Sequence, residues 1–128
     1  MNVHISGTNQ EVFDRVCAHL AQQGRKSKRL PSGGCVYRAD DGARCAVGCL
    51  LPDDAPFADL DNLDDTSIRT LMRNGLISAD PPVDLLAKLQ EAHDENETVR
   101  GLRNHLVDIA FQFSLVPDAA EQIERWQP

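Results

Sequence analysis

The sequence is short of aromatic rings, of cations and of long apolar runs. Aromatic residues make up 5% of the 128, and Tyr37 and Trp126 are the sole tyrosine and tryptophan. So few rings argue against a base-stacking platform for single-stranded nucleic acid. Lys and Arg number 13 against 20 Asp and Glu, giving a net charge of −7. That balance excludes a broadly basic nucleic-acid coat, so nucleic acid is not an expected partner. No apolar run approaches the roughly 20 residues of a membrane span. The stretch Met1-Asn2-Val3-His4-Ile5-Ser6-Gly7 has neither the charged nor the apolar region of a signal peptide. The expected location is therefore cytoplasmic, away from membranes. There is no Gly-rich phosphate loop, no HExxH, no EF-hand loop and no C-x2-C knuckle. Internal repeats and low-complexity segments are also missing.

What is present suits one folded domain over residues 1–128. Apolar residues are 41% and charged residues 26%, a balance that supports a core. Two cores would leave about 64 residues each, near the lower limit for unaided folding.

Helical patterns dominate. Thr8-Asn9-Gln10-Glu11 reads as a capping box, with Thr8 at the N-cap and Glu11 at N3. Val12, Phe13, Val16, Cys17 and Leu20 follow at helical spacing, and Gly24 suits the position after the last turn. This predicts a helix over 9–23. Asp65 or Thr66 is expected to cap a helix with Ile68, Leu71 and Met72 inward, ending at Gly75. Leu85, Leu86, Leu89, Ala92 and His93 share a third face. Asn96 is expected to cap a fourth helix, with Val99, Leu102, Leu106, Ile109, Ala110 and Phe113 in phase. Pro117 suits N1 of a last helix, with Ala120, Ile123 and Trp126 inward.

Between the first two helices, Cys35-Val36-Tyr37-Arg38 reads as a strand, Asp41-Gly42 as a turn, and Ala43 to Val47 as the return strand. With Asp41 and Gly42 as the two turn residues, residue 40 pairs with 43, Arg38 faces Cys45 and Cys35 faces Gly48. A competing reading starts a short helix near Cys45 that runs through Leu51 and stops at Pro52. The expected fold class is mainly α (α+β), about five helices packed around one small β-hairpin.

Charge is regional. Residues 1–50 hold seven Lys or Arg and four Asp or Glu, net +3, whereas residues 51–128 hold six and sixteen, net −10. Arg25, Lys26, Lys28 and Arg29 form a basic run. Asp53, Asp54, Asp59, Asp61, Asp64 and Asp65 form an acidic run without a cation between them. As solvated surface both are ordinary. As binding residues, the basic run suits phosphate or an acidic partner, and the acidic run suits a basic one.

Three of the four cysteines cluster as Cys35-x9-Cys45-x3-Cys49. A structural zinc site needs about four such ligands, and His93, His19 or Cys17 would supply the fourth. The plain alternative is three small apolar residues packed under the hairpin. Cys45 also follows Arg44 and stands at the start of the competing short helix. A cation and a helix start both lower a thiol pKa, so Cys45 is a candidate nucleophile, with His93 as base and Asp94 as orienter. The alternative for His93 is a packed ring whose nitrogens are satisfied.

The segment from Gly34 to Asp53, with Cys35-Val36-Tyr37-Arg38, Asp41-Gly42 and Cys45-Ala46-Val47-Gly48-Cys49-Leu50-Leu51-Pro52-Asp53, resembles a pattern in short uncharacterised proteins of phages and prophages. Gln22-Gln23-Gly24, Leu89-Gln90-Glu91-Ala92-His93-Asp94 and the helix around Leu106–Ala110 extend the likeness. The chain departs from the pattern after Asp53, at Asp54-Ala55-Pro56-Phe57. The resemblance implies a phage or prophage context and singles out Cys45 and His93, without supplying a mechanism. The expectation that follows is an accessory protein that binds a host protein, with inhibition of a defence or regulatory complex as the effect such binding would have. Two alternatives stand beside it: a cysteine-dependent hydrolase or transferase, and a small zinc-binding domain.

Overall fold

The computed structural model describes residues 3–28, 37–39, 41–55 and 67–128. The elements run β1 (Val3–Ile5), α1 (Asn9–Gln23), a 3-10 turn (Gly48–Leu50), α2 (Ile68–Arg73), β2 (Ile77–Ala79), α3 (Val83–Glu95), α4 (Val99–Gln112) and α5 (Asp118–Glu121). The fold is mainly α with one small sheet.

α1 covers the predicted span. Glu11 N–H donates to Thr8 Oγ1 and Thr8 N–H to Glu11 Oε1, closing the capping box. Its five predicted apolar residues are all buried. Gly24 ends it in the left-handed region, φ +70, and lies so close to the Arg125 side chain that a Cβ would meet Nε at 2.7 Å. The Leu85, Leu86, Leu89, Ala92 and His93 row of α3 is buried as the spacing requires. α3 packs on α4, while α1 packs on α5 and the 3-10 turn. The core so formed takes in Phe13, Leu20, Leu71, Leu102, Leu106 and Ile123.

Three local expectations change. The cap of α2 is Ser67, which accepts from Thr70 N–H; Asp65 and Thr66 lie outside the described residues. α4 is capped by Thr98. Asn96 instead donates to the Ala92 carbonyl at the end of α3 and pairs with His105 Nδ1. Pro117 precedes α5 as its N-cap rather than entering it.

The sheet is not the predicted hairpin. It is a parallel pair, β1 with β2, in register Val3↔Ile77, His4↔Ser78 and Ile5↔Ala79. Val3, Ile5 and Ile77 point into the core, so His4 and Ser78 share the outer face.

Between residues 37 and 45 an antiparallel approach exists, but one residue out of the expected register. Ala39 N–H donates to the Ala43 carbonyl, Gly42 N–H to the Ala39 carbonyl and Cys45 N–H to the Tyr37 carbonyl. Arg38 therefore faces Arg44, not Cys45. Gly42 is left-handed, φ +90, as in a longer turn that closes with a glycine bulge. Beyond Cys45 the chain turns as in the competing reading, but the helix is shorter than expected, a 3-10 turn over Gly48–Leu50 with Leu51 already extended. Cys49 N–H bonds the Cys45 carbonyl, Leu50 N–H that of Val47, and Leu51 N–H that of Gly48. The expected pairing of Cys35 involves a residue outside the described set.

Candidate functional site

His93 is fully buried on α3. Its Nε2 accepts the Ser27 backbone N–H at 3.0 Å, and its Nδ1 lies 2.7 Å from Asp94 Oδ1. A backbone amide only donates and a carboxylate only accepts. The pair therefore fixes a neutral ring with its proton on Nδ1. The Trp126 ring meets it edge-on, centroids 5.6 Å apart at 76°. Trp126 Nε1 is itself held by the Asn96 carbonyl.

The surrounding polar groups are tied to one another. Gln90 donates to Asp94 Oδ1 at 2.8 Å and accepts Val47 N–H at 3.0 Å. Ser27 Oγ donates to the Ala43 carbonyl. Lys26 Nζ, only 4% exposed, donates to the Asp94 carbonyl and to Glu97 Oε1 at 2.8 Å. The C-terminal strip closes over this region, with Gln127 N–H on the Gly24 carbonyl and Lys26 N–H on the Gln127 carbonyl.

Cys45 adjoins this network through Val47 and Gln90. It is buried, and its Sγ accepts Gly48 N–H at 3.2 Å while its carbonyl accepts Cys49 N–H. The side chain thus occupies the place of a serine or threonine N-cap on the turn. Burial raises its pKa well above the ordinary thiol value, and the charge of Asp94 raises it further. Both nitrogens of His93 are engaged elsewhere, so neither takes a proton from this thiol in the observed arrangement. Cys49 donates to the Ala46 carbonyl, and burial pushes its thiol up to about 12. Cys17 is buried and also raised.

For zinc, Cys35 lies outside the described residues. Among the described residues, no group of three or more His, Cys, Asp or Glu side chains is arranged to hold a metal ion.

Of the basic run, Arg25 and Lys26 are tied into the fold, whereas the described members of the acidic run lie on the surface. Arg25 pairs with Asp41 at 2.7 Å, Lys26 is buried as described, and Lys28 lies within electrostatic reach of Glu97. Asp53 pairs with Arg44 at 2.7 Å, and Asp54 is exposed. Arg29, Asp59, Asp61, Asp64 and Asp65 lie outside the described residues. An open cleft of about 390 Å³ runs between the end of α1 and the turn, lined by His19, Gln22, Gln23, Arg25 and Asp41 among others. His19 Nε2 donates to the Arg44 carbonyl. Burial lowers its pKa despite that bond.

A second cluster escaped the sequence reading. On the outer face of the sheet, His4 lies between Ser78 and Asp80. The only signal for it was the polar residue at the middle of each three-residue strand, separated by 74 positions. Comparison with protein-family models, with curated proteins and with solved structures gives no match.

Proposed function

We propose that the chain is a binding module for a partner protein that presents a basic segment with apolar side chains. In the phage or prophage setting implied by the resemblance, that partner belongs to the host. One observation carries the reading. Phe111 and Val116 are 71% and 55% exposed, and they lie five positions apart in a stretch of sequence without a single cation. From Asn104 to Glu124 the chain has no Lys or Arg but includes Asp108, Asp118, Glu121 and Glu124.

A reversal of the chain at the end of α4 separates the two apolar residues. Ser114 N–H bonds the Phe111 carbonyl and Leu115 N–H bonds the Ala110 carbonyl, so the chain folds back on the last turn. Val116 is then clamped by Gln10, which both accepts its N–H and donates to its carbonyl. Gln10 also holds Asp14, which brings another acid close by. Asp108 precedes Phe111 by three residues and shares its helix face.

Exposed apolar side chains in an acidic, cation-free stretch suit a partner of the opposite sign. Burying either side chain contributes about 1.5–3 kcal/mol at most, while the acidic residues accelerate encounter and oppose acidic competitors. The test titrates a synthetic Leu–Lys amphipathic helix into labelled protein, with a Leu–Glu helix as control, and follows backbone amide shifts. The expected result is shifts at Phe111, Ser114 and Val116 with the Leu–Lys helix alone. Affinity should fall at least about tenfold in Phe111→Asp and weaken with added salt. Shifts centred on Asp53 and Asp54, or binding unchanged in Phe111→Asp, would overturn the assignment. Concentration-dependent dimerisation lost in Phe111→Asp would overturn it too, giving the face to a second copy of this chain.

A further inference from the structure

The outer face of the sheet brings together three residues that the sequence holds far apart. Parallel pairing puts His4 directly beside Ser78. Asp80 follows Ser78 by two residues, so it returns to the same side. His4 Nδ1 lies 2.8 Å from Ser78 Oγ and Nε2 lies 2.9 Å from Asp80 Oδ1. The other carboxylate oxygen, Asp80 Oδ2, accepts Gly7 N–H at 3.0 Å.

These contacts order the protons. The Gly7 amide, and after it His4, hold the Asp80 carboxyl below the usual range, so it accepts and does not donate. In the neutral imidazole, the proton therefore sits on Nε2 and the lone pair of Nδ1 faces the Ser78 hydroxyl. A hydroxyl, a base that accepts from it and a carboxylate that orients the base are the working parts of a serine nucleophile. The side chains of His4 and Asp80 are 50% and 54% exposed. Unlike the fully buried His93 network, the base and carboxylate of this cluster face solvent, with Ser78 half-buried beside them.

We propose that Ser78, His4 and Asp80 form an acyl-transfer centre for carboxylic esters with a good leaving group. Ser78 Oγ attacks the ester carbonyl carbon as its proton passes to His4 Nδ1. Asp80 stabilises the imidazolium that results. Collapse of the tetrahedral adduct breaks the bond to the leaving alcohol, which takes the proton from Nδ1. Water then repeats the sequence on the acyl-serine, releasing the carboxylic acid and restoring the hydroxyl. The net change is ester plus water to acid plus alcohol, with no other reactant.

The test uses the full chain with p-nitrophenyl acetate and, separately, a fluorophosphonate that labels activated serines. The expected result is turnover with an acetylated Ser78 found by peptide mass mapping, and fluorophosphonate on the same residue. Ser78→Ala should abolish both. His4→Ala should slow labelling at least about a hundredfold, the low end of what a positioned base contributes. Asp80→Asn should slow it in the same direction with Ser78 intact. Circular dichroism checks that each variant folds, and Ser78→Cys offers a second nucleophile that should acylate if the smaller alanine disturbs the sheet. Turnover unchanged in Ser78→Ala, which would mark simple imidazole attack by His4, overturns the proposal. So does labelling of Ser78 that is no faster in folded protein than in denatured protein.

Discussion

At the scale of single residues, the Cys45 to Cys49 segment is governed by fit. Gly48 has no positive φ to explain it. A Cβ there would overlap the Tyr37 carbonyl oxygen and stand 2.8 Å from the carbonyl carbon. That carbonyl is backbone and is already bonded by Cys45 N–H, so it has little room to yield. Gly48→Ala is expected to destabilise by about 3 kcal/mol, the upper part of the range for forced overpacking, read as a shift in the denaturation midpoint. Cys45 has the matching role on the other side of the turn. Its thiol should alkylate far more slowly in native protein than after denaturation, and modification at free-thiol speed in native protein at neutral pH would contradict its burial. Cys45 and His93 both lie buried in hydrogen-bonded surroundings, but the sequence pattern alone left two readings open. A cysteine before a small-residue turn looks the same whether its sulfur attacks a substrate or accepts an amide. Burial separates them, and burial depends on α1 and α3 rather than on the segment itself.

At the scale of elements, what could be read was what is local. The capping box and five apolar positions define α1 without help from the rest of the chain. The face of α3, with His93 in it, follows from spacing in the same way. β1 and β2 could not be found so: three residues carry too little alternation, and their pairing joins positions 3–5 to 77–79. The turn at 39–43 failed differently. Asp41-Gly42 was located correctly, but a one-residue change of register moves every side chain to the opposite face, so Arg38 meets Arg44. The end of α4 supplies a prediction at this scale. Ser114 stands at φ +58 where a glycine commonly ends a helix. The bonds from Ser114 and Leu115 back to Phe111 and Ala110 hold it there. Ser114→Gly removes the cost of a side chain in the left-handed region and should stabilise by up to about 1 kcal/mol. Thermal denaturation measures this, and a lower midpoint would show that the serine hydroxyl contributes more than the strain it brings.

At the scale of the molecule, the contrast between a +3 N-terminal portion and a −10 remainder has an internal counterpart. Lys26 reaches Glu97 and the Asp94 carbonyl at the α3–α4 junction, Arg44 reaches Asp53, and Arg25 reaches Asp41 within its own region. The basic run thus helps fasten the loop after α1 to the acidic half. The carboxyls involved record this. The Lys26 bond lowers Glu97, the Arg44 bond lowers Asp53, and the Ala43 amide followed by Arg25 lowers Asp41. In the unfolded chain these groups take up protons near their ordinary values of about 4; in the folded chain they do so only at lower pH. Below the ordinary range the unfolded state binds more protons, so their stabilisation is complete above it and is lost as pH falls through the folded values. The Lys26 pair is uneven, since the ammonium is buried and the Glu97 side chain is 63% exposed. Removing Glu97 leaves a buried cation with one carbonyl, whereas replacing the lysine by an apolar chain of similar length removes the charge itself. Glu97→Ala should therefore destabilise more than Lys26→Met at pH 7. Both variants should also lose less stability than the wild type between pH 5 and pH 3, because the Glu97 proton no longer couples to folding. Parallel melting curves across that range decide it, and an acid slope identical in all three proteins would remove the Lys26–Glu97 contact from any account of how the two halves hold together.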